Sequence, residues 1–142
     1  LDVRPQPGSE ELFRYLREKG IKVVLNTGYN NATARNLLDK LNWKEGRDID
    51  LLVTADQVAN PRPKGDMIVK AMQHFGISDP STVAKIGDSI IDIEEGRNAS
   101  CSLSIGITTG AHTREQLLQA NPDLIVESLD EIPKLLEVHG DN

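Results

Sequence analysis

In the stretch VAKIGDSIIDIEEGRNA, Val83 to Ala99, an apolar run ends at Gly87-Asp88-Ser89, and a second acid, Asp92, follows four residues after the first. A carboxylate beside a core is costly unless it is paired, hydrogen-bonded or metal-bound. The spacing puts both acids on one face of a helix that starts near Ser89. Two other stretches carry complementary groups. Asn26-Thr27-Gly28, after the run Val23-Val24-Leu25, offers a hydroxyl and free backbone amides. Arg62 and Lys64, in the loop beyond Leu51-Leu52-Val53, offer cations. A hydroxyl, amides, a cation and two carboxylates on one rim are what an anionic phosphoryl group and a hard divalent ion together require.

Taken singly, each feature has a plainer reading. Thr27-Gly28 also reads as a turn, Arg62 and Lys64 as solvated charges, and Asp92 as a helix-surface residue. Asp88 would also complement a helix dipole. The elements around them give the combination its weight. Ser9 can cap a first helix with Leu12, Tyr15 and Leu16 on one face, ending at Lys19-Gly20. A β-branched run, Ile21 to Leu25, predicts a strand, and ATARNLLDKL has helical spacing. The alternation recurs through Asp50–Thr54 and the helix of Met67, Ile68, Ala71, Met72 and Phe75, then through VAKIG and the helix from Ser89. Leu103–Thr108 precedes a capping box at Thr113–Gln116, and DLIV leads to a second box at Ser128–Glu131. Strands alternating with helices predict a doubly wound α/β fold: a Rossmann-like parallel sheet in three layers, α/β/α. Ligands of such sheets bind beyond the carboxyl ends of the strands, where Asn26, Thr27, Gly28, Asp56 and Asp88 fall.

With 142 residues the chain is one domain's worth. LDVRPQPGSE begins without a methionine and is rich in Pro and Gly, so residues 1–8 read as a linker from a preceding segment, 9–138 as the core and 139–142 as a tail. A net charge of −6 disfavours nucleic acid. No apolar stretch approaches the roughly 18 residues of a membrane span. Cys101, the single cysteine, allows no internal disulfide and suits a reducing, cytoplasmic setting.

The order of these motifs, an apolar strand then T-G, a basic residue further on, then a strand ending in G-D-S-x-x-D, resembles the haloacid dehalogenase superfamily. NTGYNNATARNLLDKLNW, RPKGDMIVKAM, KIGDSIIDIEEGRNA and IGITTGAHTREQL resemble its phosphonatase-like branch, over Pro5 to Leu136. The resemblance implies a magnesium-dependent hydrolase of a small phosphorylated substrate, working through an aspartyl phosphate. Thr27 would then bond the phosphoryl oxygens together with the Gly28 amide, and Asn26 would line the same subsite. Arg62 or Lys64 would be the balancing cation. Pro61 and Gly65 stand where the branch commonly has glycine and proline, so either base fits. Asp88 would be the main Mg²⁺ ligand, and Asp92 would support the metal or pair with the cation.

The family's nucleophile, the first aspartate of D-x-D after an N-terminal strand, is not among these residues. Asp48-Ile49-Asp50 imitates the pattern but precedes its strand. The resemblance therefore implies that a central strand and a helical cap come from a segment outside this chain, leaving the sheet incomplete. A non-catalytic interaction or regulatory module on the same fold is the alternative. His112 would touch substrate or cap, or stand as a solvated loop residue; Lys85 would pair with an acid that the sequence does not specify; Cys101 reads as a structural thiol and Trp43 as packing.

Overall fold

The computed structural model describes residues 6–110 and 112–140, so residues 1–5 of the expected linker and 141–142 of the expected tail lie outside it. Its elements are α1 (Ser9–Glu18), β1 (Val24–Thr27), α2 (Asn31–Leu41), β2 (Leu51–Thr54), α3 (Asp66–His74), β3 (Ala84–Gly87), α4 (Ile90–Asn98), β4 (Leu103–Ile107), α5 (Arg114–Leu118), β5 (Leu124–Val126) and α6 (Ile132–Gly140). Both expected capping boxes form, at Thr113 with Gln116 and at Ser128 with Glu131.

Several boundaries shift by a residue or more from the sequence reading, and two of the shifts have a plain physical cause. Gly8, at φ 85°, is the N-cap of α1, and Ser9 is its first helical residue, with its hydroxyl donating back to the Gln6 carbonyl at 2.7 Å. Only glycine adopts that backbone cheaply, which displaces the cap by one residue. The first strand begins at Val24 rather than Ile21 because its partner begins there too, with Val24 opposite Leu51 and Thr27 opposite Thr54. Ile21 and Lys22 stay exposed.

All strand pairs are parallel: β1 with β2, β3 with β4, and β4 with β5. Strand alternation sorts the core into two faces. Leu52, Ile105, Ile107 and Val126 point to the side covered by Leu12, Phe13 and Leu16 of α1, Ala34 and Leu38 of α2 and Ile132 of α6. Trp43 joins this cluster edge-on to Phe13, with ring centroids 4.9 Å apart. On the other side Val53 meets Met67 and Ala71 of α3. There Gly106 makes room for Ile93 of α4 and Leu117 of α5, whose Cδ1 atoms would both lie 3.2 Å from a Cβ at that position. The result is the expected three-layer α/β/α arrangement.

The sheet is in two pieces. Strands β1 and β3 share no backbone hydrogen bonds, so the order is β1-β2 and, separately, β3-β4-β5. The pieces are neighbours nonetheless, because Asn26 of β1 takes a hydrogen bond from Lys85 of β3 at 2.6 Å. Between them each strand presents an edge without a ladder partner. No helix of the described residues is long and apolar enough to cross a membrane.

Candidate active site

Thr27 ends β1, and the turn Gly28-Tyr29-Asn30 delivers the chain into α2. The Thr27 Oγ1 accepts from the Tyr29 N–H at 3.2 Å. Asn30 caps α2 by accepting from the Thr33 N–H at 2.9 Å. Asp56 accepts from the Thr54 hydroxyl at 2.6 Å and from the Asn31 N–H at 3.2 Å. Those two bonds hold its carboxyl below the ordinary aspartate value. Asp56, though exposed, thus braces the turn through these bonds.

The two candidate cations part company. Arg62 folds inward: a Cβ built on Gly28 would lie 3.5 Å from its Nη2 and 3.8 Å from its Nε. Its guanidinium therefore lies across the Thr27-Gly28 turn while its Nη1 donates to Asp92 Oδ1 at 2.7 Å. Lys64 is exposed and, among the described residues, its ammonium has no ion-pair partner. Gly65, standing where the related motif has proline, is required by packing, since a Cβ there would come within 2.9 Å of the Ala99 Cα.

Asp88 and Asp92 lie at the start of α4 on the same rim, as the reach of Arg62 from Gly28 to Asp92 shows. Asp92 is spent within the protein. Its Oδ2 accepts from the N–H groups of Asp88 and Ser89 at 3.1 and 3.2 Å and from the Ser89 hydroxyl at 3.0 Å. The Ser89 side chain accepts in return from the Asp92 N–H, completing a capping box. Gly87 makes this possible, because a Cβ there would stand 2.2 Å from the Asp92 Cβ. Asp88 is the opposite case. Half-buried against the Gly110 turn, its carboxylate takes no hydrogen bond or ion pair from the described residues.

Behind this rim runs a polar chain that sequence reasoning did not assemble. The Lys85 ammonium, 2.6 Å from Asn26 Oδ1, also lies 3.2 Å from Glu95 Oε1 and 3.6 Å from Asp92 Oδ1. Asn26 Nδ2 donates to Glu95 Oε2 at 2.6 Å, so both ends of the Asn26 amide are engaged inside the protein. Glu95 is fully buried. Burial pushes its carboxyl above the ordinary glutamate value, against the opposing pull of Lys85 and Arg62. The available signal was the three-residue step from Asp92 to Glu95, which puts both acids on the helix face that meets the Lys85 strand.

The remaining candidates resolve as follows. His112 is not a free loop residue: its Nδ1 accepts from the Ile90 N–H at 3.0 Å and so satisfies an amide in the first turn of α4. Cys101 is half-buried, and desolvation raises its thiol to about 11, which leaves it protonated and unreactive near neutrality. Asp50 lies ahead of β2, accepting from the Val23 N–H at 2.8 Å and pairing with Arg17 at 3.3 Å. It is therefore at the amino end of the sheet, away from the rim.

Among the described residues no cluster of three or more His, Cys, Asp or Glu side chains forms a cation cage. The chemistry of the rim still fits a shared hard ion. No described residue engages the carboxylate oxygens of Asp88, whereas both oxygens of Asp92 are taken by protein donors. One ligand is thus available here, and the others would have to come from substrate, water or another segment.

Comparison with known proteins agrees with this geometry. The family model for haloacid dehalogenase-like hydrolases matches residues 2–100. A phosphonoacetaldehyde hydrolase of Parabacteroides distasonis is 32% identical, across 94% of this chain and 58% of that protein. The "Probable phosphatase IndB" of Dickeya dadantii is 34% identical, across 89% of this chain and 53% of that protein. The chain thus spans less than two thirds of the length of these relatives. In fold it matches a crystal structure of a phosphonoacetaldehyde hydrolase-like protein from Oleispira antarctica with TM-score 0.84 at 22% identity, over 96% of this chain and 57% of that one. With its split parallel sheet, its Thr27-Gly28 turn and its Gly87-Asp88-Ser89 rim, the chain belongs to the haloacid dehalogenase-like hydrolase family.

Proposed function

We propose that this chain is the greater part of the core of a magnesium-dependent hydrolase acting on a small phosphorylated metabolite, a phosphomonoester or a phosphonate. The observation that carries the reading is the break between β1 and β3, flanked at its carboxyl end by Thr27, Gly28 and Arg62 on one side and Asp88 on the other. An extended strand entering that break in parallel would satisfy both open edges and deliver a side chain at its end into the middle of the four groups. An aspartate there would attack phosphorus, breaking the bond to the ester oxygen or phosphonate carbon and releasing that group with a proton. Water would then cleave the aspartyl phosphate to free phosphate and the regenerated aspartate. Its strand, together with a cap covering the rim, belongs on this reading to a segment of the same protein outside these 142 residues.

Each residue on the page then has a task. The Thr27 hydroxyl and the Gly28 N–H hold phosphoryl oxygens, and Arg62, fixed by Asp92, balances the charge that gathers between nucleophile and phosphoryl group. Asp88 holds Mg²⁺, which when bound supplies neutralising charge to the phosphoryl oxygens. Asn26 serves the subsite from behind by fixing Lys85 and Glu95. Lys64 stands outside this arrangement. The phosphonoacetaldehyde hydrolase and phosphatase relatives support the substrate class, and the lone Cys101 is compatible with a cytoplasmic setting.

Amide hydrogen exchange tests the strand. Joining the chain to an N-terminal segment with an apolar strand ending in D-x-D should slow exchange along β1 and β3 at least tenfold, while the already paired β4 changes little. Unchanged exchange in β1 and β3 would remove the basis of the reading.

A further inference from the structure

The charges behind the rim are arranged as a contest for one oxygen. Asp92 Oδ2 already accepts from three donors, which leaves Oδ1 as the atom that can hold a cation. Two cations are within reach of it: Arg62 Nη1 at 2.7 Å and Lys85 Nζ at 3.6 Å. Lys85 is the more buried, its side chain 11% exposed against 27% for Arg62, and a buried ammonium moves toward whatever anion is nearest. It sits nearer to Glu95 Oε1, at 3.2 Å, and to Asn26 Oδ1, closer still, and keeps only the longer ion pair with Asp92. Among the described residues Glu95 Oε1 has no hydrogen-bond donor and is faced by the Lys85 ammonium alone. The stem of Lys85 is fixed as well, since a Cβ on Gly96 would stand 2.9 Å from the Lys85 Cβ. Helix α4 therefore lies close enough on β3 that the ammonium has Glu95 and Asp92 as its two choices of anion.

We propose that Glu95 is a positioning residue for Arg62: by holding the Lys85 ammonium it reserves Asp92 Oδ1 for the Arg62 guanidinium. The proposal rests on the reading that Arg62 faces the transferring phosphoryl group. Glu95 touches no reacting atom. Without its charge Lys85 turns to the remaining anion, Asp92, and the guanidinium loses the bond that holds it over Gly28. Neutralising Lys85 at the same time removes the competitor, so the second substitution should repair the first. A residue that merely stabilises the interior would also regain stability in the double variant, because the second substitution removes the unpaired buried ammonium. The separation therefore rests on the Arg62 resonance and on kcat falling without KM, which such a residue would not move.

The test uses the complete protein and the side-chain Nε–H resonance of Arg62, assigned by its loss in Arg62→Lys, alongside magnesium-dependent phosphate release from p-nitrophenyl phosphate. In Glu95→Gln the resonance should shift and broaden, and kcat should fall at least tenfold with KM changing less than threefold. In Lys85→Met/Glu95→Gln both should return most of the way to wild type. Glu95→Asp, which keeps the charge on a shorter stem, should fall between and is the deciding variant if Glu95→Gln does not fold. An unchanged Arg62 resonance in a folded Glu95 variant, or a double variant worse than the single, would overturn the proposal. If wild type itself releases no phosphate, the hydrolase reading fails, while the resonance still decides whether Glu95 positions Arg62.

Discussion

Arg62 and Asp92, thirty positions apart in sequence, meet at 2.7 Å through Nη1 and Oδ1, and the same Asp92 holds the first turn of α4 through its other oxygen. One carboxylate therefore fixes both the cation of the rim and the loop that carries Asp88. Asp92→Asn should cost about 3 kcal/mol of stability, since it leaves a partly buried guanidinium unpaired and weakens a helix cap. Chemical denaturation of the variant, with loss of activity beyond what unfolding explains, checks this.

Asp88 should behave differently, because no described group depends on its carboxylate. Asp88→Asn is expected to change stability by less than about 1 kcal/mol. If Asp88 holds Mg²⁺ as proposed, the ion should raise the melting temperature of the wild-type protein, and Asp88→Asn should abolish that rise. A thermal-shift titration reads both effects, and equal losses of folding and metal response would make Asp88 structural instead.

Gly87→Ala drives a methyl to within 2.2 Å of the Asp92 Cβ, an atom too near the backbone to swing aside. Overpacking of this kind costs roughly 1–3 kcal/mol. The variant should lose stability in that range and also lose Mg²⁺ response through the displaced α4 turn, as followed by the same titration.

The rim was legible in the sequence because its residues sit where apolar runs stop: Thr27 after Val24-Leu25, Asp88 after Ile86-Gly87. The alternation of strands with helices likewise let a sheet covered on both faces be anticipated. What lay hidden was partner choice over distance. Asn26 and Glu95 are 69 positions apart, and their bond depends on the spacing between β1 and α4, which no local pattern encodes. Arg62 and Lys64 could not be separated by type. The distinction is geometric, with one folded across Gly28 and the other turned to solvent. Gly8 took the cap from Ser9 for a backbone reason, a left-handed φ, that a side-chain preference does not register.

Acid should weaken the fold in part through Glu45, which guards the outer edge of β2 by accepting from the Leu52 N–H at 2.8 Å while paired with Arg35. Partial burial raises its carboxyl, but the bonds from Arg35 and Leu52 prevail and leave it below the ordinary value of 4.5. A lowered folded value means that the stabilisation is present above pH 4.5 and is lost as pH falls through the folded value. Glu45→Gln should therefore melt a few degrees below wild type at pH 7, with the gap closing as the pH drops under the ordinary value. A gap independent of pH would mean that the charge of Glu45 is irrelevant to the edge.

Phosphate release from p-nitrophenyl phosphate, measured for residues 1–142 alone and again with the nucleophile strand supplied covalently or in trans, bears most directly on the proposed role of the break between β1 and β3. On the proposed reading the chain alone binds and polarises a phosphoryl group through Thr27, Gly28, Arg62 and Asp88, while none of its described residues supplies the carboxylate that forms the covalent intermediate. Turnover should be absent for the chain by itself and should appear, dependent on Mg²⁺, once the strand is present. Hydrolysis by 1–142 alone at the rate of the complete protein would place the nucleophile within this chain and contradict the reading.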